Sequence, residues 1–275
     1  MMLGPFKFFI IIFLFWQINS LKAQNLYDYS NSIKYADFLF KSSRFNEATE
    51  EYNRILFMNQ LDTSSWLKLV KSYQKQGKHK NALEIYKVAA LNIGINPKLN
   101  SLKVYSLLKL SNFKTVRDSL SNRNRTLKEE FYYSMSYALA SDWDMINTNE
   151  FNFSDQSPIR EVLMLAKEYS FEKKKTPFVA GLLSAAVPGT GKIYTRRWKD
   201  ALFSFLLTSA TGWQAYRIIS KGNIKSFEGV FFTGLAFGFY TGNVYGSIKS
   251  AVSYNQEILN EYNQRANYIL DTHFK

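Results

Sequence analysis

Apolar side chains fall along this chain in separate stretches, and most of them keep helical spacing. Residues 8–18 are apolar apart from Gln17, a run too short to span a bilayer. From residue 29 to about residue 130, apolar positions recur three and four apart in short pieces divided by polar breaks, the stripe of successive packed helices. Residues 141–156 are polar and predict a loop. Ser157-Pro158 then opens a helix over 159–171 with Val162, Leu163, Leu165, Ala166 and Tyr169 on one side. A short apolar helix over 178–187 is broken by Pro188-Gly189. Two nineteen-residue apolar runs follow, 201–219 and 230–248, each about long enough to cross a bilayer with little tilt. In the tail, Ile258, Leu259, Tyr262, Ala266, Ile269 and Leu270 return to helical spacing, which suits docking on the repeats or lying on a membrane. The pattern predicts an all-α chain.

The first helical region repeats. Arg44-Phe45-Asn46-Glu47-Ala48, Lys78-His79-Lys80-Asn81-Ala82 and Asn112-Phe113-Lys114-Thr115-Val116 are three related strings spaced 34 residues apart. In the middle unit Trp66, Leu69, Tyr73, Gly77, Ala82, Tyr86 and Ala89 complete the pattern, and Tyr35, Ala36, Leu39, Ala48, Tyr52 and Ile55 match it in the first. The third keeps Leu107, Phe113, Val116 and Leu120, with Pro97 at its opening turn. On these residues the segment resembles the tetratricopeptide-repeat (TPR) family, with units near 29–62, 63–96 and 97–130 and a partial fourth from Phe131, filling a repeat region of residues 24–140. The resemblance implies two antiparallel helices per unit, stacked as a solenoid, and a concave groove lined by each unit's first helix that binds protein or peptide segments. Lys41, Lys75 and Lys109 are also 34 apart, and with Lys71 and Tyr105 they mark the expected groove. Such a ladder suits an acidic segment or a terminal carboxylate; equally, each lysine suits the C-terminal dipole of its own helix.

The second apolar run carries Gly234, Gly238, Gly242 and Gly246, one glycine per helical turn, and the first carries Ser204, Thr208 and Gly212. Small-xxx-small faces let helices approach closely, so the two runs predict a close-packed transmembrane or membrane-associated hairpin within residues 176–254, ahead of an amphipathic tail over 255–275. The hydroxyls of Ser204, Thr208, Ser209, Thr211, Thr233 and Thr241, with Asn243, would then bond across the two helices, Asn243 near the level of Ser204. The alternative is a buried pair in a soluble domain. Lys173-Lys174-Lys175, just before the apolar region, suits anionic headgroups as well as a helix C-terminus.

Charge and composition narrow the function. Lys and Arg outnumber Asp and Glu by 35 to 22, but the excess is spread along the chain, which argues against nucleic acid and for anionic lipid or an acidic partner. There is no cysteine, which excludes disulfides, thiolate chemistry and a lipoprotein anchor. The order of Lys7, the apolar run and Leu21-Lys22-Ala23 is that of a signal peptide over 1–23, or of an uncleaved anchor, and predicts export. His79 and His273 are the only histidines and lie far apart, and the acidic pair Asp142 and Asp144 lacks the rest of a calcium loop, so no metal is expected.

Pro188-Gly189-Thr190-Gly191-Lys192 looks like the core of a phosphate-binding loop, but Ala186 stands at the first glycine position and Ile193 where the magnesium-binding hydroxyl belongs. No nucleotide or other cofactor is expected. The order Pro188-Gly189, Gly191, Tyr194, then Arg196-Arg197-Trp198-Lys199 and a Gly-rich second helix instead resembles small bacterial membrane modules of the TM2-like kind, with Lys192 where those sequences often have Gln. That resemblance implies no activity. The expectation is a non-enzymatic adaptor of the bacterial envelope, anchored in the inner membrane with its repeats in the periplasm, or else an accessory subunit of a larger transporter, insertion or synthase complex. Topology rests on opposing clues. Lys221 and Lys225 favour a cytoplasmic 220–229 turn, whereas the basic 192–199 stretch would then lie outside.

Overall fold

A computed structural model describes residues 27–121, 125–146 and 158–274. The signal segment and most of the expected 141–156 loop lie outside them. Among the described residues there are twelve α-helices, one short 3-10 turn and no strand, so the all-α expectation holds. The chain divides into two compact units, one ending at Asn112 and the other beginning at Phe113.

The first unit contains α1 (Tyr29–Lys41), α2 (Phe45–Met58), α3 (Thr63–Lys75), α4 (His79–Ile93) and α5 (Pro97–Lys109). Each helix packs on the next, and α3 also packs on α5. Polar caps start three of them: Asp28, Asp62 and Asn96 each accept a backbone N–H from the first turn of α1, α3 and α5. The core is built from large side chains, with Leu39, Tyr52, Ile55, Leu69, Val70, Leu99, Val104 and Leu108 all essentially inaccessible. Ala36, Ala48, Ala82 and Ala89 are fully buried where helices approach one another.

The 34-residue period is visible in the backbone. Ser43, Gly77 and Ser111 each adopt a positive φ, at 59, 72 and 57°. In each case the next residue's N–H reaches back five residues, from Arg44 to Leu39, Lys78 to Tyr73 and Asn112 to Leu107, each at 2.9 Å. This is the left-handed helix stop that reverses the chain after α1, α3 and α5. Side chains then tie neighbouring units. Gln74 Nε2 donates to Leu102 O at 2.7 Å and to Ser106 Oγ at 2.8 Å, and Gln76 Nε2 donates to Phe45 O at 2.9 Å and Thr49 Oγ1 at 2.8 Å.

The second unit opens with α6 (Phe113–Ser119), only seven residues long, then α7 (Leu127–Ala138), the 3-10 turn Trp143–Met145 and α8 (Pro158–Ser170). The turn after α7 repeats the same stop, with Ser141 at φ 66°. Next come α9 (Pro177–Ala186), α10 (Thr190–Tyr194), α11 (Trp198–Ser220) and α12 (Phe227–His273). The break expected near residue 254 does not occur. Hairpin helix and tail are one 47-residue helix, because no glycine, proline or cap interrupts residues 247–273. Its first part packs on α9, α10 and α11, and its last part on α7 and α8.

Helices do form over 201–219 and 230–248. Among the described residues, however, no helix is long and apolar enough to cross a membrane. The reason is dilution: Ser204, Thr208, Ser209, Thr211 and Gln214 interrupt the first run, and four glycines with Thr233, Thr241 and Asn243 interrupt the second.

Candidate functional site

In the first unit, the last residues of α1, α3 and α5 are Lys41, Lys75 and Lys109. The helix-dipole role therefore has its geometry at all three positions. One turn earlier on the same helices stand Asp37, Lys71 and Tyr105. Lys41 and Lys75 are exposed, Lys71 and Lys109 half-buried, and the Lys109 ammonium lies 5.7 Å from the centre of the Tyr105 ring. Sequence reasoning missed the pair that sets the charge of this face. Lys68 Nζ bonds both Asp37 oxygens at 2.6 and 2.7 Å, and the Tyr52 hydroxyl donates to Asp37 at 2.8 Å. The one carboxylate of the register is thus neutralised, while burial and the Asp37 charge raise the Tyr52 pKa. Lys41 and Lys75, exposed at these helix ends, are cationic.

In the second unit the glycines of Pro188-Gly189-Thr190-Gly191 have steric reasons. Gly189 has φ 90°, and a Cβ there would lie 2.4 Å from Ala201 O; a Cβ on Gly191 would lie 1.9 Å from Ala180 O. Both amides are engaged by side chains: Gly189 N–H donates to Asn243 Oδ1 at 3.0 Å and Gly191 N–H to Ser184 Oγ at 2.9 Å. Asn243 Nδ2 donates to Ser184 O at 3.0 Å, and the Ser184 and Ser247 hydroxyls are 2.7 Å apart. The string is a tight helix-to-helix turn stitched to α12.

These contacts correct two expectations. Asn243 does not bond across to α11; it holds the α9–α10 turn instead. Ser204 is met by Lys192, whose Nζ donates to its Oγ at 2.5 Å. Thr211 and Thr241 bond carbonyls of their own helices, and the Thr208 hydroxyl is buried with no hydrogen-bond partner among the described residues. The glycine ladder is not the hairpin seam either. Nothing among the described residues lies within 4 Å of a Cβ built on Gly212, Gly234, Gly238 or Gly242. Only Gly246 faces a neighbour, with Lys192 Cε at 3.4 Å and Nζ at 3.5 Å. The buried face of α12 is Asn243, Ser247, Ser250 and Ala251, rotated away from the ladder.

Burial across residues 177–251 is inverted. Every buried residue there is Gly, Ala, Ser, Thr or Asn except Ile218. Phe203, Leu206, Trp213, Phe237 and Tyr245 each expose more than half their surface. The tail returns to ordinary polarity: Tyr262, Ala266, Ile269 and Leu270 are buried, and the Trp143, Tyr169 and Tyr262 rings are mutually packed at 5.1–6.0 Å between centres. Arg265 clasps both Glu168 oxygens at 2.6 and 2.8 Å. His273 Nε2 lies 2.9 Å from Glu161 Oε1. Burial, together with the Glu168 and Glu172 charges, pushes the Tyr262 pKa up to about 12. The Arg265 bonds hold Glu168 below the usual carboxylate range.

Among the described residues no group of His, Cys, Asp and Glu has the arrangement of a metal site. No protein-family model matches this chain, and no match emerges among curated proteins or solved structures.

Proposed function

We propose that this chain is a non-enzymatic adaptor that is held at a bilayer by its α9–α12 bundle and presents a TPR-like face to a protein partner. One observation carries the reading: residues 177–251 bury small and polar side chains and turn large apolar ones outward. In water such a surface is unfavourable by about 25 cal/mol for every Å² of apolar area left exposed. Against acyl chains the same arrangement is favourable, because lipid solvates the large side chains while the polar ones bond internally. Trp198, Trp213, Tyr216 and Tyr245 supply the amphipathic rings that favour membrane interfaces. On the repeat unit, the cationic ends of α1, α3 and α5 favour an acidic protein segment. Each exposed lysine contributes little alone, so recognition rests on several acting together. The signal-like start favours an exported repeat unit and an inner-membrane address.

The open glycine ladder favours a second reading, an accessory subunit that packs Gly234, Gly238 and Gly242 against a helix of a larger membrane complex.

The test is protease accessibility in intact, outer-membrane-permeabilised and lysed cells, followed by carbonate extraction. The expected result is digestion of the repeats after permeabilisation, with a carbonate-resistant fragment spanning residues 177–251. Complete release by carbonate would overturn the bilayer reading. Gly238→Leu with Gly242→Leu separates the two readings, since partner loss from these changes alone selects the subunit.

A further inference from the structure

Lys192 is the polar side chain that the inverted bundle accommodates least easily. It leaves the five-residue α10, crosses α12 over the bare backbone of Gly246 and ends on the Ser204 hydroxyl of α11. Its ammonium has three hydrogens to donate, and Ser204 takes one. No carboxylate among the described residues lies within ion-pair distance, and one turn along α11 the Thr208 hydroxyl is buried without a partner.

The surroundings are cationic as well. Lys175 lies 4.4 Å from the Tyr194 ring and its amide donates to Asn255 at 2.7 Å, which brings Lys175 to the α10 end of the bundle, whereas Lys174 lies over the Tyr169 ring. Lys199 and Lys249 stand over Trp198 and Tyr245. Arg197 is committed to Glu257 at 2.7 Å and Ser253 at 3.0 Å, and Asp200, in the first turn of α11 and one turn before Ser204, makes no ion pair with Lys192. Beside the slot, Trp198, Leu202 and Tyr245 are exposed apolar side chains. An anion here would meet the Lys192 ammonium, and a hydrocarbon chain would meet exposed apolar side chains of α11 and α12.

We propose that Lys192, seated over Gly246, binds the phosphodiester of an anionic phospholipid at this end of the bundle. The inference rests on the bilayer reading. The seat needs a small residue at 246: an alanine Cβ would make ordinary van der Waals contact with the lysine, whereas a leucine would occupy the space of Cε and Nζ and push the lysine out of the seam. Phosphate fits the donor set because ammonium-to-phosphate hydrogen bonds are charge-assisted.

The experiment is co-flotation of the purified full-length protein with vesicles of phosphatidylcholine alone or mixed with phosphatidylglycerol. Wild type is expected to float with both and to bind the mixed vesicles more tightly. Lys192→Gln should reduce that preference roughly tenfold, the loss of one charge-assisted contact, and Lys192→Arg should restore much of it. Gly246→Leu leaves the charge unchanged and should lose the preference, whereas Gly246→Ala keeps it; circular dichroism of each variant verifies the helical fold. Unchanged headgroup preference in Lys192→Gln, or in folded Gly246→Leu, would overturn the seat while leaving the bilayer reading intact. Failure of wild type to float with either vesicle would overturn both. Suppression of the preference by inorganic phosphate at constant ionic strength would overturn lipid as the source of the bound group.

Discussion

The repeat helices and the α9–α12 bundle use small residues in opposite ways. In the first unit, alanines such as Ala36 and Ala82 are spacers that let helices approach until Leu39, Leu69 and Tyr52 fill the space between them. In the bundle, small residues are themselves the interior. Helices meet through Ser184, Ser247, Asn243 and Gly191, and the large side chains are left outside. The first arrangement gains its stability by removing apolar area from water. The second gains little that way and depends on close backbone approach and on hydrogen bonds among its buried polar groups. Small-residue spacing alone therefore does not say what a helix packs against. The environment of the large side chains does.

The largest expected break in this comparison is Gly191→Ala. The added Cβ would meet the Ala180 carbonyl at 1.9 Å, backbone that cannot step aside, so the bundle should lose on the order of 4 kcal/mol or fail to fold, measured by thermal unfolding in detergent. A matched pair of leucines sharpens the contrast. Leu69→Ala should cost about 3 kcal/mol because Leu69 is fully buried. Leu206→Ala, at a position 55% exposed, should cost under about 0.5 kcal/mol in detergent while weakening vesicle binding. Equal losses for the two would remove the distinction.

Smaller effects test the shared helix stop. Gly77 has open space around it, so Gly77→Ala should be penalised through its positive φ alone, by roughly 1 kcal/mol. Ser43→Gly and Ser111→Gly should be neutral to mildly stabilising at the same register, as read by chemical denaturation. The smallest effect is pH dependence of the tail clasp. Arg265 depresses the folded pKa of Glu168, so this contribution is present above the ordinary value of 4.5 and fades as pH falls through the lower folded value. Tyr262 has its pKa raised, so its contribution is present below 10.0 and is lost as pH rises toward about 12. Glu168→Gln should remove the acid limb, seen in hydrogen exchange of α12.

Much of this was legible in the sequence. The 34-residue period gave the helix pairs because each repeat carries its own stop, and Pro97 and Pro158 mark the helix starts where their missing N–H costs nothing. The short helix before Pro188 fell within one residue of its observed position, whereas the turn expected at 220–229 closes three residues early, at 226. What could not be read was rotation. Period-four glycines on α12 promise a close seam, but residues 243, 247, 250 and 251 lie on a neighbouring stripe and won it through hydrogen bonds to α9 and α10, partners distant in sequence. Lys192 was visible as the lysine of an incomplete nucleotide motif and as a departure from the membrane-module pattern, but its slot exists only after α11 and α12 pair. The Asp37–Lys68 pair was likewise hidden by a separation of 31 residues.

Because hairpin and tail share one uninterrupted helix of 47 residues, about 70 Å long, α12 behaves as a shaft keyed at two levels. One key, near its middle, is Asn243 and Ser247, and the other, toward its C-terminus, is Tyr262, Ala266 and Leu270. Helical phase must be kept between them. A single residue inserted after Glu257 would turn the far key by about 100° and swing Arg265 away from Glu168. Seven inserted residues return the phase to within about 20° while shifting the key along its axis. Substitutions can accumulate along the exposed flank of this shaft, but length changes between the keys cannot, and torque applied at one end arrives at the other.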